Sequence, residues 1–206
     1  MDNEHFYYTI EKEAVAEFKD RGSKFIGYAF PVESAEAFKK RLKELKEEHP
    51  KAAHFCFAYR IGRDGNNFRS SDDGEPAGSA GKPILGQIDS KQLCNTAVVV
   101  LRYFGGTLLG VPGLINAYKM AASLALQLTP LHQKAVLHNY TLEFDYTLMN
   151  DVMMVIKRFG CEVLKKEAQL FCRMTVGIPK SAVSACLEKL ADLPGIEVSK
   201  VPSIKN

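Results

Sequence analysis

Residues 70–122 read SSDDGEPAGSAGKPILGQIDSKQLCNTAVVVLRYFGGTLLGVPGLINAYKMAA, two glycine-rich loops and an acidic cluster around an apolar strand that ends on an arginine. Eight glycines fall between Gly74 and Gly113. Glycine admits positive φ and close backbone approach, so this density specifies loops of defined shape rather than loose linkers. Residues 96–104 are the most apolar strand of the chain, and their valine density predicts burial on both faces. A helix follows from near Gly113 to Leu128, with Leu114, Tyr118, Ala121, Leu124 and Leu128 on one stripe, ended by Thr129-Pro130.

The chemistry of the stretch follows from that frame. A helix start leaves N–H groups unpaired and carries partial positive charge, so the loop from Gly105 to Gly110 suits a phosphate or carboxylate. Lys82, Arg102, the Gly105 and Gly106 amides and the Ser79 hydroxyl are the candidate anion-binding groups. Two common phosphate motifs are excluded. Gly81-Lys82 is followed by Pro83, which lacks the hydroxyl a Walker A loop needs, and the spacing of Gly105-Gly106 and Gly110 is not that of a dinucleotide fingerprint. Arg102 shares a strand face with Val98 and Val100, so its charge either pairs with Asp72, Asp73 or Glu75 or points into a polar pocket. Those three acids either order the loop through turn hydrogen bonds or hold a cation such as Mg²⁺. His54 and Cys56, two apart on a strand, share a face. No oxyanion hole or orienting third group accompanies them, and the expected arrangement is a packed thiol beside a hydrogen-bonded histidine.

Upstream, residues 7–13 and 24–31 read as strands, and Ser34 opens a charged helix to about Glu48 with Ala35, Phe38, Leu42 and Leu45 inward. Residues 54–61 and 67–70 are strands around the turn at Asp64-Gly65-Asn66, and residues 83–92 a short helix. Downstream of Pro130, Tyr140, Leu142, Phe144 and Tyr146 alternate on a strand. A helix capped by Thr147 carries Leu148, Val152, Val155, Ile156 and Phe159. Residues 161–166 and 169–178 form a hairpin, with Leu170, Cys172, Met174, Val176 and Ile178 on one face. Ser181 caps a second helix, and a strand around residues 196–201 closes the order βαββαβ of a ferredoxin-like domain. Lys157 and Arg158 at a helix end, with Lys165 and Lys166 on the next strand, are a candidate RNA-facing edge, although basic residues also favour helix C-termini.

Composition sets broad limits. The chain has 206 residues, 46% hydrophobic and 25% charged, with a formal net charge of +3. That charge gives no strong basic field, so charge alone does not identify RNA as a partner. The N-terminus lacks the basic and apolar regions of a leader and no apolar run is long enough to span a bilayer, so a cytoplasmic, non-membrane protein is expected. The five cysteines have no zinc spacing and read as buried thiols.

Asp72-Asp73-Gly74-Glu75-Pro76, Gly78-Ser79-Ala80-Gly81, Pro83-Ile84-Leu85, Arg102-Tyr103-Phe104-Gly105-Gly106 and Leu109-Gly110 together resemble the IMPACT family in its bacterial YigZ branch. Arg21-Gly22-Ser23-Lys24-Phe25-Ile26 and His54-Phe55-Cys56-Phe57-Ala58-Tyr59 resemble the family's upstream signatures. Ser79 stands where threonine is usual, keeping the hydroxyl, and Pro112 where a glycine is usual, removing one N–H. The resemblance implies an α+β chain of two domains. Residues 1–130 would be an IMPACT-type α/β domain with a ribosomal-protein-like βαβ fold, and residues 134–206 a ferredoxin-like domain like those of elongation factor G. It implies a binding role in translation or its regulation, with RNA, the ribosome, a translation-related protein or a small phosphorylated ligand as partner. The residues make no cofactor evident, and Mg²⁺ is the one ion the acidic loop could take. The alternatives are a Mg²⁺-assisted phosphotransfer or hydrolytic enzyme using the acidic, glycine-rich site, and a protein-interaction module.

Overall fold

A computed structural model describes residues 5–62, 67–168 and 171–202. The elements, in order, are β1 (Phe6–Ile10), β2 (Ala14–Asp20), β3 (Ser23–Pro31), α1 (Ala35–Glu48), β4 (His54–Ile61), β5 (Asn67–Ser71), α2 (Gly81–Ser90), β6 (Thr96–Tyr103), α3 (Gly110–Gln127), β7 (Leu131–Ala135), β8 (Leu137–Asp145), α4 (Met149–Arg158), β9 (Glu162–Ala168), β10 (Phe171–Pro179), α5 (Val183–Ala191) and β11 (Glu197–Lys200). The chain is mixed α+β and divides into two compact units, Tyr7–Lys134 and the chain from Ala135 on together with the few residues before Tyr7. Among the described residues no helix is long and apolar enough to cross a membrane.

In the first unit, five antiparallel strands run in the order β2-β3-β6-β4-β5. Successive side chains on a strand point to opposite faces. Val98 and Val100 of β6 therefore join Phe25, Ala29, Cys56 and Ala58 beneath α2 and α3, while Ala97, Val99 and Leu101 join Phe30, Phe55 and Phe57 beneath Phe38 and Leu45 of α1. Residues 97–101 are fully buried. Full burial of one valine or leucine stabilises by about 1.5–3 kcal/mol, so this doubly covered strand anchors the unit. β3, α1 and β4 make a split βαβ, with β6 inserted between the two strands. Ser34 caps α1, its Oγ accepting the Ala37 N–H at 3.1 Å.

The second unit has the sheet order β11-β8-β10-β9, all antiparallel, which is the ferredoxin-like arrangement. Tyr140, Leu142, Phe144, Cys172, Met174, Val176 and Ile178 cover one face and pack on Val152 and Ile156 of α4 and Cys186 and Leu190 of α5.

Several local expectations are corrected. The strand expected at 7–13 ends at Ile10, and β2 follows it as a separate edge strand joined to β3 by Arg21-Gly22, with φ of 43° and 80°. Positive φ at both positions is the signature of a type I′ hairpin turn. β7 has no counterpart among the expected strands, because Leu131–Ala135 has only one half-buried position and no apolar alternation. α3 begins at Gly110, so Pro112 sits in its first turn, where a missing N–H costs no helical bond. Thr147 does not cap α4. A single tight turn over Tyr146–Leu148 precedes that helix, and Asp145 Oδ1 accepts both the N–H and the hydroxyl of Thr147, at 2.9 and 2.8 Å. Ser181 likewise lies in a tight turn, and α5 starts at Val183 without a side-chain cap. The turn centred on Asp64-Gly65-Asn66, and Leu170, lie outside the described residues.

Candidate functional site

The loop from Asp72 to Ala80 is organised by its own polar groups. Asp73 and Gly74 take positive φ, 42° and 88°, and reverse the chain. The Asp72 carboxylate accepts the N–H groups of Gly78, Ala80 and Gly81 at 2.8, 3.0 and 2.8 Å, closing the loop onto the start of α2. Partial burial acts to raise the Asp72 pKa, but the Gly78, Gly81 and Ala80 amides outweigh it and hold the carboxyl below its ordinary value. Asp73 Oδ2 accepts the Phe55 N–H at 2.7 Å, and the buried Ser79 hydroxyl donates to the Pro76 carbonyl at 2.7 Å.

Asp72 contributes stability that is fully present above its unfolded pKa, about 3.9, and is lost as pH falls through the lower folded value. Asp72→Asn is expected to lower stability at pH 7 by about 2 kcal/mol, from lost charge-assisted hydrogen bonds, and to flatten the acid limb below pH 4. Denaturation across pH 2.5–7 checks this. A variant that retains the full acid slope of the wild type would refute the role given to Asp72.

Glu75 turns inward from the same loop. Its Oε1 accepts from Arg102 Nη1 at 2.7 Å and from the Tyr118 hydroxyl at 2.8 Å, and His54 Nε2 lies 3.9 Å away. The paired side chains are nearly sealed, with 6% exposure for Arg102 and 4% for Glu75. Strand parity explains the meeting: Arg102 continues the Val98 and Val100 face, lies opposite Phe25 and His54 on the neighbouring strands, and so faces Tyr118 of α3. Its guanidinium lies over the rings of Phe25, at 5.6 Å, and Phe104, at 5.4 Å. Arg102 Nε is buried without a hydrogen-bond partner. His54 Nδ1 is 2.8 Å from the Asp73 carbonyl, and the Cys56 thiol donates to the Asp72 carbonyl at 3.0 Å. Burial, chiefly, pushes the Cys56 and Tyr118 pKa values far up, which leaves both groups neutral near pH 7.

The second loop packs against the β2–β3 turn. Gly105 N–H donates to Ser23 Oγ at 3.2 Å, and Arg21 Nη2 donates to the Leu109 carbonyl at 3.0 Å. The start of α3 has no side-chain cap and no acid in its first turn. Gly106 is open on its Cβ side, and Lys82 is exposed in the first turn of α2. Apolar side chains project outward here: Phe104 is 53% exposed, Leu108 is 83% exposed, and Val111 and Ile115 are exposed as well.

The structure thus brings Glu75 to Arg102 and places Asp72, Asp73 and Ser79 in one hydrogen-bonded loop. The three carboxylates point apart, toward loop amides, the Phe55 amide and Arg102 respectively. Among the described residues no group of three or more His, Cys, Asp or Glu side chains is placed to hold a metal ion. Tyr118 is expected from the sequence only as part of an apolar stripe, and a hydroxyl among buried alanines is the signal for its second role. In the second unit, Lys165 lies opposite Thr175 and Lys166 opposite Met174, so the two lysines point to opposite faces of β9. Lys165 pairs with Glu167 at 2.6 Å, and Arg158 lies over Phe159 at 5.6 Å.

The Impact N-terminal domain matches residues 21–126, a span that contains both loops, β6 and most of α3. The chain is 34% identical over 172 residues to the IMPACT family member YigZ of Escherichia coli (strain K12), covering 82% of this chain and 84% of that one. It is also 34% identical over 188 residues to an IMPACT family member of Haemophilus influenzae, covering 90% and 91%. A crystal structure described as that of a hypothetical protein superposes with a TM-score of 0.76 at 29% identity over 97% of this chain and 98% of that one. With the domain match and two relatives that each cover most of its length, the chain belongs to the IMPACT family.

Proposed function

We propose that the protein acts by binding rather than by catalysis, in a translation-related setting, and that the surface formed by Phe104, Leu108, Val111 and Ile115 contacts a protein of the translation apparatus. The translational setting rests on membership of the family. The binding surface rests on one observation: Asp72, Ser79, Glu75 and Arg102 are engaged within the fold, while four large apolar side chains are left outward around an open loop. Arg102, the strongest candidate for anion recognition, already has its charge answered by Glu75 at 2.7 Å. Exposed apolar groups clustered in this way mark contact sites on soluble proteins.

A second reading, recognition of RNA phosphate, has its own support. The uncapped start of α3, with the Arg21 guanidinium on the Leu109 carbonyl and Lys82 exposed on the neighbouring helix, offers unpaired N–H groups and positive charge. Cosedimentation with purified ribosomes at low and high salt separates the two. Under the protein-contact reading, binding persists at high salt and Leu108→Asp weakens it by at least about tenfold, since loss of one well-buried leucine is worth about 1.5–3 kcal/mol. Binding that falls steeply with salt, is weakened by Lys82→Ala and ignores Leu108→Asp would replace that reading with the phosphate one. No cosedimentation at either salt would remove the ribosome as the partner.

A further inference from the structure

In the second unit the Cys161 and Cys186 sulfurs lie 3.7 Å apart, and both are free thiols. Their backbones are held by separate rigid features. Gly160, at φ 63°, ends α4, its N–H donating to the Lys157 carbonyl at 3.3 Å, while the Cys161 N–H reaches back to the Ile156 carbonyl at 2.9 Å. That double closure fixes Cys161, three residues beyond the last residue of α4. Cys186 sits within α5, fully buried. Closing the 3.7 Å gap to a disulfide bond length of about 2.05 Å brings the two sulfurs less than 2 Å closer together.

We propose that Cys161 and Cys186 form a reversible dithiol/disulfide pair that reacts with low-molecular-weight disulfides. Cys161 is the residue that meets the oxidant, because it is part-exposed while Cys186 is sealed. The Cys161 thiolate, its proton released to solvent, attacks one sulfur of the small disulfide. A mixed disulfide forms and one small thiolate leaves. Cys186 then attacks the Cys161 sulfur, forming the internal bond and expelling the second small thiolate, which takes up the proton that Cys186 releases. The two cysteines are oxidised by two electrons and the reagent is reduced to two thiols. Burial, chiefly, pushes the Cys161 pKa up to about 12, so the first step is slow compared with that of an exposed thiol. Cys172, equally sealed in the same core, has no thiol partner placed this way among the described residues and should be spared.

The closed bond joins the start of β9 to α5 and constrains the segment between them in the unfolded chain. The test treats the full chain with glutathione disulfide, alkylates the remaining thiols under denaturing conditions, and maps peptides by mass spectrometry. The expected result is one internal cross-link between the Cys161 and Cys186 peptides, reversed by a reducing dithiol, with a rise of several degrees in the melting temperature of the unit. In Cys186→Ser the same treatment should leave Cys161 as a stable mixed disulfide with glutathione. A wild-type protein in which both thiols stay reduced, or in which Cys161 keeps glutathione without resolving, would overturn the proposal. If Cys186→Ser does not fold, Cys161→Ser serves instead. It should take up no glutathione at Cys186, and modification there would overturn the assigned order of attack.

Discussion

Glu75→Ala should destabilise the first unit by about 3–5 kcal/mol, the range for removing one partner of a buried ion pair. The carboxylate accepts from both the Arg102 guanidinium and the Tyr118 hydroxyl. Removing it strands a guanidinium between the Phe25 and Phe104 rings with its Nε already unpartnered. Glu75→Gln keeps one acceptor and should be milder. Arg102→Met should be costly alone, since it leaves a sealed carboxylate. The pair Glu75→Leu with Arg102→Met should recover much of the loss, because the desolvation of both charges disappears together. The chain has no tryptophan, so urea unfolding is best followed by circular dichroism. A loss under about 1 kcal/mol for Glu75→Ala would mean that the pair is hydrated in solution and adds no more than a surface contact.

Gly105→Ala should lower stability by about 3 kcal/mol, whereas Gly106→Ala should lower it by only about 1 kcal/mol. A Cβ on Gly105 would lie 1.9 Å from the Gly22 carbonyl carbon, 2.1 Å from its oxygen and 2.3 Å from the Ser23 nitrogen. All three are backbone atoms, so no rotamer change relieves the overlap, and the β2–β3 turn must move away from the loop. Gly106 has nothing within 4 Å of its Cβ position and only a φ of 84° to maintain. Equal melting temperatures for the two variants would show that the loop does not pack on the turn. A large loss confined to Gly105→Ala would also weaken any partner that needs the Phe104 to Ile115 surface in its native shape.

What can be read in advance is what repeats. β6 is legible because so dense a run of valines suits a strand covered on both sides, and α3 because Leu114, Tyr118 and Ala121 keep the helical period inward, although Leu124 is only half-buried and Leu128, past the helix end, is exposed. The βαββαβ order downstream is legible for the same reason. Two strands are not: β2 alternates but carries Glu17, Lys19 and Asp20, and β7 is largely exposed, so neither announces itself by hydrophobicity. At the candidate site, the glycine and acid content marks loops of defined shape. Which acid meets Arg102 depends on the left-handed pair Asp73-Gly74, which turns Glu75 inward and leaves Asp73 facing the Phe55 amide. Periodicity carries no information about such a reversal. The approach of Cys161 to Cys186 is likewise a product of how α4 and α5 pack, since 25 residues separate the two in the chain.

The position of β6 has a consequence for biosynthesis. β3 and β4 are both apolar, and each pairs along its length with β6. Yet β6 begins only at Thr96 and is the last of the three to emerge from the ribosome. Until then the nascent chain carries two hydrophobic strands whose common partner has not been made. Their exposed edges are templates for pairing with other chains. The charged α1 and the β2–β3 hairpin emerge early enough to shield part of this surface, but a chain released before Thr96 would leave both strands open to intermolecular pairing.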